Sequence, residues 1–141
     1  MIPQPSALPM TSHKPRVQVV AGILMRDEQF LIARRKAGMS LAGFWEFPGG
    51  KLEPDESPEQ ALQRELKEEF SIDVTVGDYV GRAEYDYDHI SIELIAYRAF
   101  IDEGEFELTD HDAIEWVTLE RARTFELAPA DIPILDQLAG S

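Results

Sequence analysis

The stretch from Gly50 to Ile72, GKLEPDESPEQALQRELKEEFSI, constrains this chain most, because one helix within it must serve two opposed faces. Its start signal is complete. Ser57 can cap, Pro58 takes the first helical position, where no backbone N–H is needed, and Gln60 closes an S-x-x-Q capping box. At about 100° per residue, Leu62, Leu66 and Phe70 share one arc, while Glu65, Glu68 and Glu69 share the adjoining arc above the small Ala61. The first arc needs a core. The second costs about a few tenths of a kcal/mol for each like-charged neighbour, and Lys67 points elsewhere, so something cationic should offset it.

Carboxylates at this density are hard oxygen ligands suited to Mg²⁺, with Mn²⁺ a possible substitute. A calcium loop is the rival, but the Asp86, Asp88, Ile90 region lacks the D-x-D-x-D-G spacing. A charged run is usually a solvated helix face, and here the spacing argues otherwise. Gly50, five residues, Glu56, seven residues, then Arg64-Glu65, Leu66, Lys67 and Glu68-Glu69 follow the pattern G-x5-E-x7-R-E-U-x-E-E-x-G-U, where U is a bulky aliphatic residue. Six fixed matches arise by chance on the order of 10⁻⁶ times per window.

On these residues the chain resembles the Nudix hydrolases, from about Val17 to Leu138. The wording FWEFPGGKLEPDES is similar to the MutT-type branch, which includes 8-oxo-dGTP diphosphatases and CTP pyrophosphohydrolases, and LAPADIPIL is similar to the second of these. One position departs. Ser71 stands where the box has glycine, at what should be a left-handed helix cap, a cost of up to about 1 kcal/mol that leaves the ligand chemistry intact.

The resemblance implies an α+β fold, an α/β/α sandwich with a central mixed β-sheet and the box helix packed on it. It implies metal-assisted attack of water on a nucleoside triphosphate, releasing the monophosphate and pyrophosphate. In the family's pattern Glu65, Glu68 and Glu69, with the carbonyl of Gly49, bind the divalent ions, and Asp110 matches a further acidic ligand. Glu56 helps hold the water, and Arg64 orients a glutamate by a salt bridge. Glu65 is favoured as the proton acceptor, with Asp110 its rival. Arg35 and Lys51 are the candidate cations for the phosphate chain. Glu46, Phe47 and Pro48 match the segment lining the nucleotide pocket, and Asp131 falls where the family reads the base. The ordinary alternative for Asp131 is an N-cap of the last helix. His111 and Asp112 read as loop structure, and Arg34 has no assigned role.

Two other functions stay open: hydrolysis of nucleoside diphosphate derivatives such as ADP-ribose or a nucleotide sugar, and a Nudix-fold binding module without turnover. The second is disfavoured by the complete set of box glutamates. A formal net charge of −14 argues against polymeric nucleic acid as a partner, since phosphate neutralisation supplies most of that affinity. It permits a small phosphorylated substrate held through a cation. There is no cysteine and no membrane-length apolar run, so no membrane partner and a cytoplasmic location are expected, as monomer or homodimer.

Along the chain, residues 1–16 read as a flexible proline-rich arm and 17–141 as one Nudix domain. Strands are expected at 17–25 and 29–33 around a turn at Asp27-Glu28, then at 72–76 and 80–87 around a turn at Gly77-Asp78, and at 91–101 and 113–118. Residues 103–112 read as an acidic loop. A helical turn at 119–123 and a closing helix at 134–138 complete the reading.

Overall fold

Val19 to Met25 is free of polar side chains at successive positions, the composition of a strand covered on both faces. In the computed structural model, which describes residues 14–140, this stretch lies in β1 (Arg16–Arg26) inside the sheet. The other elements are β2 (Gln29–Arg35), β3 (Trp45–Glu46), β4 (Gly49–Lys51), α1 (Pro58–Phe70), β5 (Ile72–Asp86), β6 (Ser91–Gly104), β7 (His111–Val117), α2 (Leu119–Ala122) and α3 (Ile132–Ala139). A single 3-10 turn, Pro129–Asp131, precedes α3. The described strands order as β3-β2-β1-β6-β5, with β4 on β1 and β7 on β2. β1 and β6 run parallel and the remaining pairs antiparallel, so the sheet is mixed.

Alternate residues of β1 then serve two cores. Val20 and Leu24 face α1, where Leu62, Leu66 and Phe70 are fully buried. Burying each such side chain contributes about 1.5–3 kcal/mol, well above the charge repulsion on the neighbouring arc, so the apolar arc decides the helix's seat. Ala21 and Ile23 face the other layer with Ile134 and Leu135 of α3. The helix starts as its sequence requires: Ser57 accepts from the Gln60 N–H while the Gln60 side chain accepts from the Ser57 N–H. It ends at Ser71 with φ 60° and ψ 34°, the left-handed cap for which glycine is the usual residue. The Ser71 hydroxyl donates to Glu107 at 2.9 Å, a bond that glycine could not make.

Four expectations need correction. Gly77-Asp78 is no turn: residues 72–86 form one strand whose pairing with β6 shifts between Val76 and Gly81. The turn signal is real, yet β6 continues past it, and irregular pairing keeps more ladder bonds than a reversal would. The 103–112 loop is shorter, since β6 runs to Gly104 and His111 already opens β7. The arm cannot extend to residue 16, because Arg16 is in β1 and the Pro15 carbonyl accepts from the Ser91 N–H at 2.8 Å. Residues 1–13 of that arm lie outside the described residues. The closing helix begins earlier, at Ile132. No helix among the described residues is long and apolar enough to cross a membrane.

Candidate active site

Helix α1 crosses the end of the short strand β4, and the contact requires glycine. A Cβ on Gly50 would fall on the Glu65 carboxyl group, so Glu65 can lie against the strand only because that Cβ is missing. Arg64 organises the surrounding carboxylates. Its Nε and Nη2 donate to the two oxygens of Glu56 at 2.7 and 2.9 Å, and its Nη1 donates to Glu65 at 3.2 Å and Glu68 at 3.1 Å. Nη2 also reaches the Lys51 carbonyl at 2.9 Å, tying the helix to β4. The bidentate pair pulls the Glu56 carboxyl below the usual range, and Glu56 in turn raises Arg64.

Glu69 has no such cation. Burial, a hydrogen bond with Glu65 and the charges of Asp110, Glu65 and Glu46 push its pKa up to about 8. Glu65 is shared with Arg64 and Glu46 with Arg35, but acidic groups still converge on Glu69, and their oxygen donors suit a divalent ion, so the donor set fits such a group. Among the described residues no three of them already stand in a metal-holding arrangement. Asp110 reaches this place because the β6–β7 loop is fastened to the end of α1. Thr109 Oγ1 donates to the Glu69 carbonyl at 3.0 Å, and the Glu107 N–H donates to the Phe70 carbonyl at 3.1 Å.

The same cleft, about 1020 Å³, continues to a second group of polar side chains. β3 is pinned to the segment before α3: the Trp45 N–H donates to the Glu126 carbonyl and the Ala128 N–H to the Trp45 carbonyl. Beyond it, the Phe47 N–H is satisfied by Asp131 Oδ1 at 3.3 Å. Asp131 makes no capping bond to α3, so the capping alternative is excluded. It is 5% exposed, and burial followed by the charge of Glu46 raises its pKa well above the ordinary aspartate value. A carboxyl group that keeps its proton can donate as well as accept, as an asparagine amide does. Glu46 Oε2 accepts from Arg35 Nη1 at 3.0 Å and lies 2.8 Å from His111 Nε2.

The molecule also matches known proteins. The model of the NUDIX domain matches residues 15–138. The chain belongs to the Nudix family. As a Nudix hydrolase it acts on phosphoanhydride bonds, and its family works with a divalent metal. It is 45% identical over 120 residues to a CTP pyrophosphohydrolase of Escherichia coli, covering 85% of this chain and 89% of that protein. It is 40% identical over 98 residues to an 8-oxo-dGTP diphosphatase of Proteus vulgaris, covering 69% and 86%. The solution structure of the E. coli ORF135 protein superposes with a TM-score of 0.78 at 42% identity, covering 90% and 91%.

Within this Nudix hydrolase, Arg35, Glu46, Phe47, Gly49 and Lys51 line one side of the cleft, and Arg64, Glu65, Glu68 and Glu69 line the helix side. Asp110 and Asp131 complete it from two later segments. Two expected residues stand behind these walls: Glu56 in the grip of Arg64, and Pro48, which is buried with its carbonyl accepting from the Gly22 N–H at 2.7 Å. Arg35 is already engaged, since its Nε donates to the Ser40 carbonyl at 2.6 Å. Arg34, unassigned from sequence, pairs with Asp112 at 2.7 Å and lies over the Trp45 ring. Sequence reading missed the β5–β6 hairpin tip, where Tyr87 and His89 line the cleft and Tyr87 Oη accepts from the Ala130 N–H at 3.1 Å. It also missed His111, which is buried in β7. Nothing periodic marks these residues.

Proposed function

We propose that this Nudix hydrolase is a Mg²⁺-dependent pyrophosphohydrolase of nucleoside triphosphates, with cytosine nucleotides (CTP, dCTP, 5-methyl-dCTP) its first choice. The observation that carries this reading is a single cleft with the glutamate arc of α1 at one end and the carboxyl groups of Glu46 and Asp131 at the other. Two acidic groups at the base end suit the exocyclic amine of cytosine, a donor that carboxylates accept from in base recognition. The 45% identical relative named for CTP supports the same choice.

In this reading Glu65, Glu68, Glu69, Asp110 and the Gly49 carbonyl would hold the divalent ions. The cation, when bound, offsets phosphate charge and acidifies water. Lys51 and Arg35 orient the phosphate chain. Glu65, kept in place by Arg64 and bonded to Glu69, takes the proton from the attacking water. A P–O bond forms between that water's oxygen and one phosphorus of the anhydride joining the first and second phosphates, the bridging P–O bond to that phosphorus breaks, and its electron pair stays on the oxygen of the departing phosphate group, giving the monophosphate and pyrophosphate. Glu56 holds Arg64, and through it the glutamate arc, in register.

A second base, 8-oxoguanine, is favoured by one observation: the raised pKa of Asp131 lets it donate to O6 with one oxygen while accepting from the N7 hydrogen with the other. The 40% identical relative named for 8-oxo-dGTP points the same way. A panel with Mg²⁺ decides, measuring pyrophosphate or phosphate release from dCTP, 5-methyl-dCTP, CTP, 8-oxo-dGTP, dGTP and ADP-ribose. The expected order places a cytosine triphosphate first and ADP-ribose last. Turnover of ADP-ribose with no triphosphate hydrolysed would overturn the reading in favour of a diphosphate-derivative hydrolase, and no turnover of any would favour a binding module.

A further inference from the structure

His111 is a buried polar side chain in the cleft wall's support that the proposed chemistry leaves without a task. Its ring is 1% exposed, lies on the Phe70 ring with centroids 5.1 Å apart and planes 24° apart, and opens β7 opposite Arg35. One ring nitrogen, Nε2, lies 2.8 Å from Glu46 Oε2. The other, Nδ1, is buried with no hydrogen-bond partner. Packing does not ask for histidine here, because a leucine or phenylalanine could cover Phe70 without burying an unpaired nitrogen. The bond to Glu46 is the remaining reason. With Nδ1 unpartnered, the tautomer carrying its hydrogen on Nε2 leaves no N–H unpaired, so Nε2 donates to Glu46.

Glu46 receives this bond on the same oxygen that accepts from Arg35, which leaves its second oxygen, Oε1, outside both bonds. Arg35 approaches from the Ser40 side and His111 from the α1 side, so the carboxyl group is held between two donors in the wall of the cleft. We propose that His111 is a positioning residue that sets the orientation of Glu46 for the nucleotide and joins the base end of the cleft to the end of α1 through Phe70. The inference rests on the reading of this cleft as a nucleoside triphosphate site.

Steady-state kinetics of the full chain with the preferred triphosphate test it. His111→Phe keeps the ring on Phe70 and removes the donor; KM should rise about tenfold while kcat stays within about threefold, because an interaction made alike in ground and transition states changes KM alone. His111→Gln, which keeps an N–H donor, should restore KM to within about threefold of the parent. In a Glu46→Gln background, His111→Phe should add less than about twofold. A lowered Tm with unchanged KM, or the same KM increase in both backgrounds, would overturn the proposal. If His111→Phe does not fold, His111→Leu against His111→Gln makes the same comparison. Imidazole ¹⁵N spectra of the parent should show the hydrogen on Nε2, with a shift on Glu46→Gln; a hydrogen on Nδ1, or no shift, overturns the link without reference to activity. A parent protein that hydrolyses no triphosphate would instead overturn the reading of the cleft, and the ¹⁵N result would still decide the link.

Discussion

The two ends of the cleft are built on different principles. At the phosphate end, nearly every side chain comes from Gly49 to Glu69, a strand, a turn and a helix in succession, with Arg64 tying three carboxylates together over short sequence distances. At the base end, Glu46, Tyr87, His111 and Asp131 come from four separate segments, and three of the bonds that hold them span 43 to 84 residues. A local site is fixed once its helix is seated. A dispersed site depends on every element that brings its parts together, and is where substrate preference can change without disturbing the chemistry.

The largest expected effect breaks the phosphate end alone. Glu69→Gln should lower kcat about a thousandfold for every base tested, with Tm unchanged or higher because a carboxyl group pushed up to about 8 by burial and its neighbours is replaced by a neutral one. Near-parental turnover would remove Glu69 from the metal set, and a base-dependent loss would blur the division between the two ends.

The next effect is confined to the base end. Asp131→Asn should change the ratio of kcat/KM between cytosine and 8-oxoguanine triphosphates by about 5- to 100-fold, equivalent to about 1–3 kcal/mol, with little change in the metal requirement. The same variant has a pH signature. Burial raises the Asp131 pKa in the fold above its ordinary 3.8, so its stabilising contribution is complete below that value and is lost as pH rises towards the raised one. Thermal scans in metal-free buffer from pH 4 to pH 8 should therefore show Asp131→Asn gaining on the parent as pH rises. A gain in the opposite direction would place the buried group in its charged form.

The smallest effect concerns the edge between the two. Ser71→Gly relieves a left-handed serine but removes the bond to Glu107, so the net gain should stay below about 1 kcal/mol, at most about 4 °C in Tm, with kcat within about twofold. A marked loss of activity would mean that the Ser71–Glu107 bond holds the Asp110 loop in place.

The legible parts and the illegible parts divide along the same line. The capping box and the leucine arc were readable because each depends on residues within a few positions of one another, and the left-handed cap at Ser71 followed from the glycine of the box the helix resembles. The turn expected at Gly77-Asp78 failed for the opposite reason: whether a strand bends or bulges there is decided by how far β6 continues beside it. Asp131 shows both sides. Its proposal as a base reader came from resemblance, whereas its choice between capping α3 and accepting from the Phe47 N–H required knowing that β3 lies against the segment before α3.

The sequence by itself determined the box helix, its two faces and the acidic chemistry one of them carries, since helical periodicity and capping act over one or two turns. The tertiary structure alone decided that Asp131 is buried and the pKa of its carboxyl group raised, that His111 stands behind Glu46, and that the hairpin tip at Tyr87 lines the pocket. Those properties depend on solvent exclusion and on partners far apart along the chain, and neither is set until the sheet has assembled.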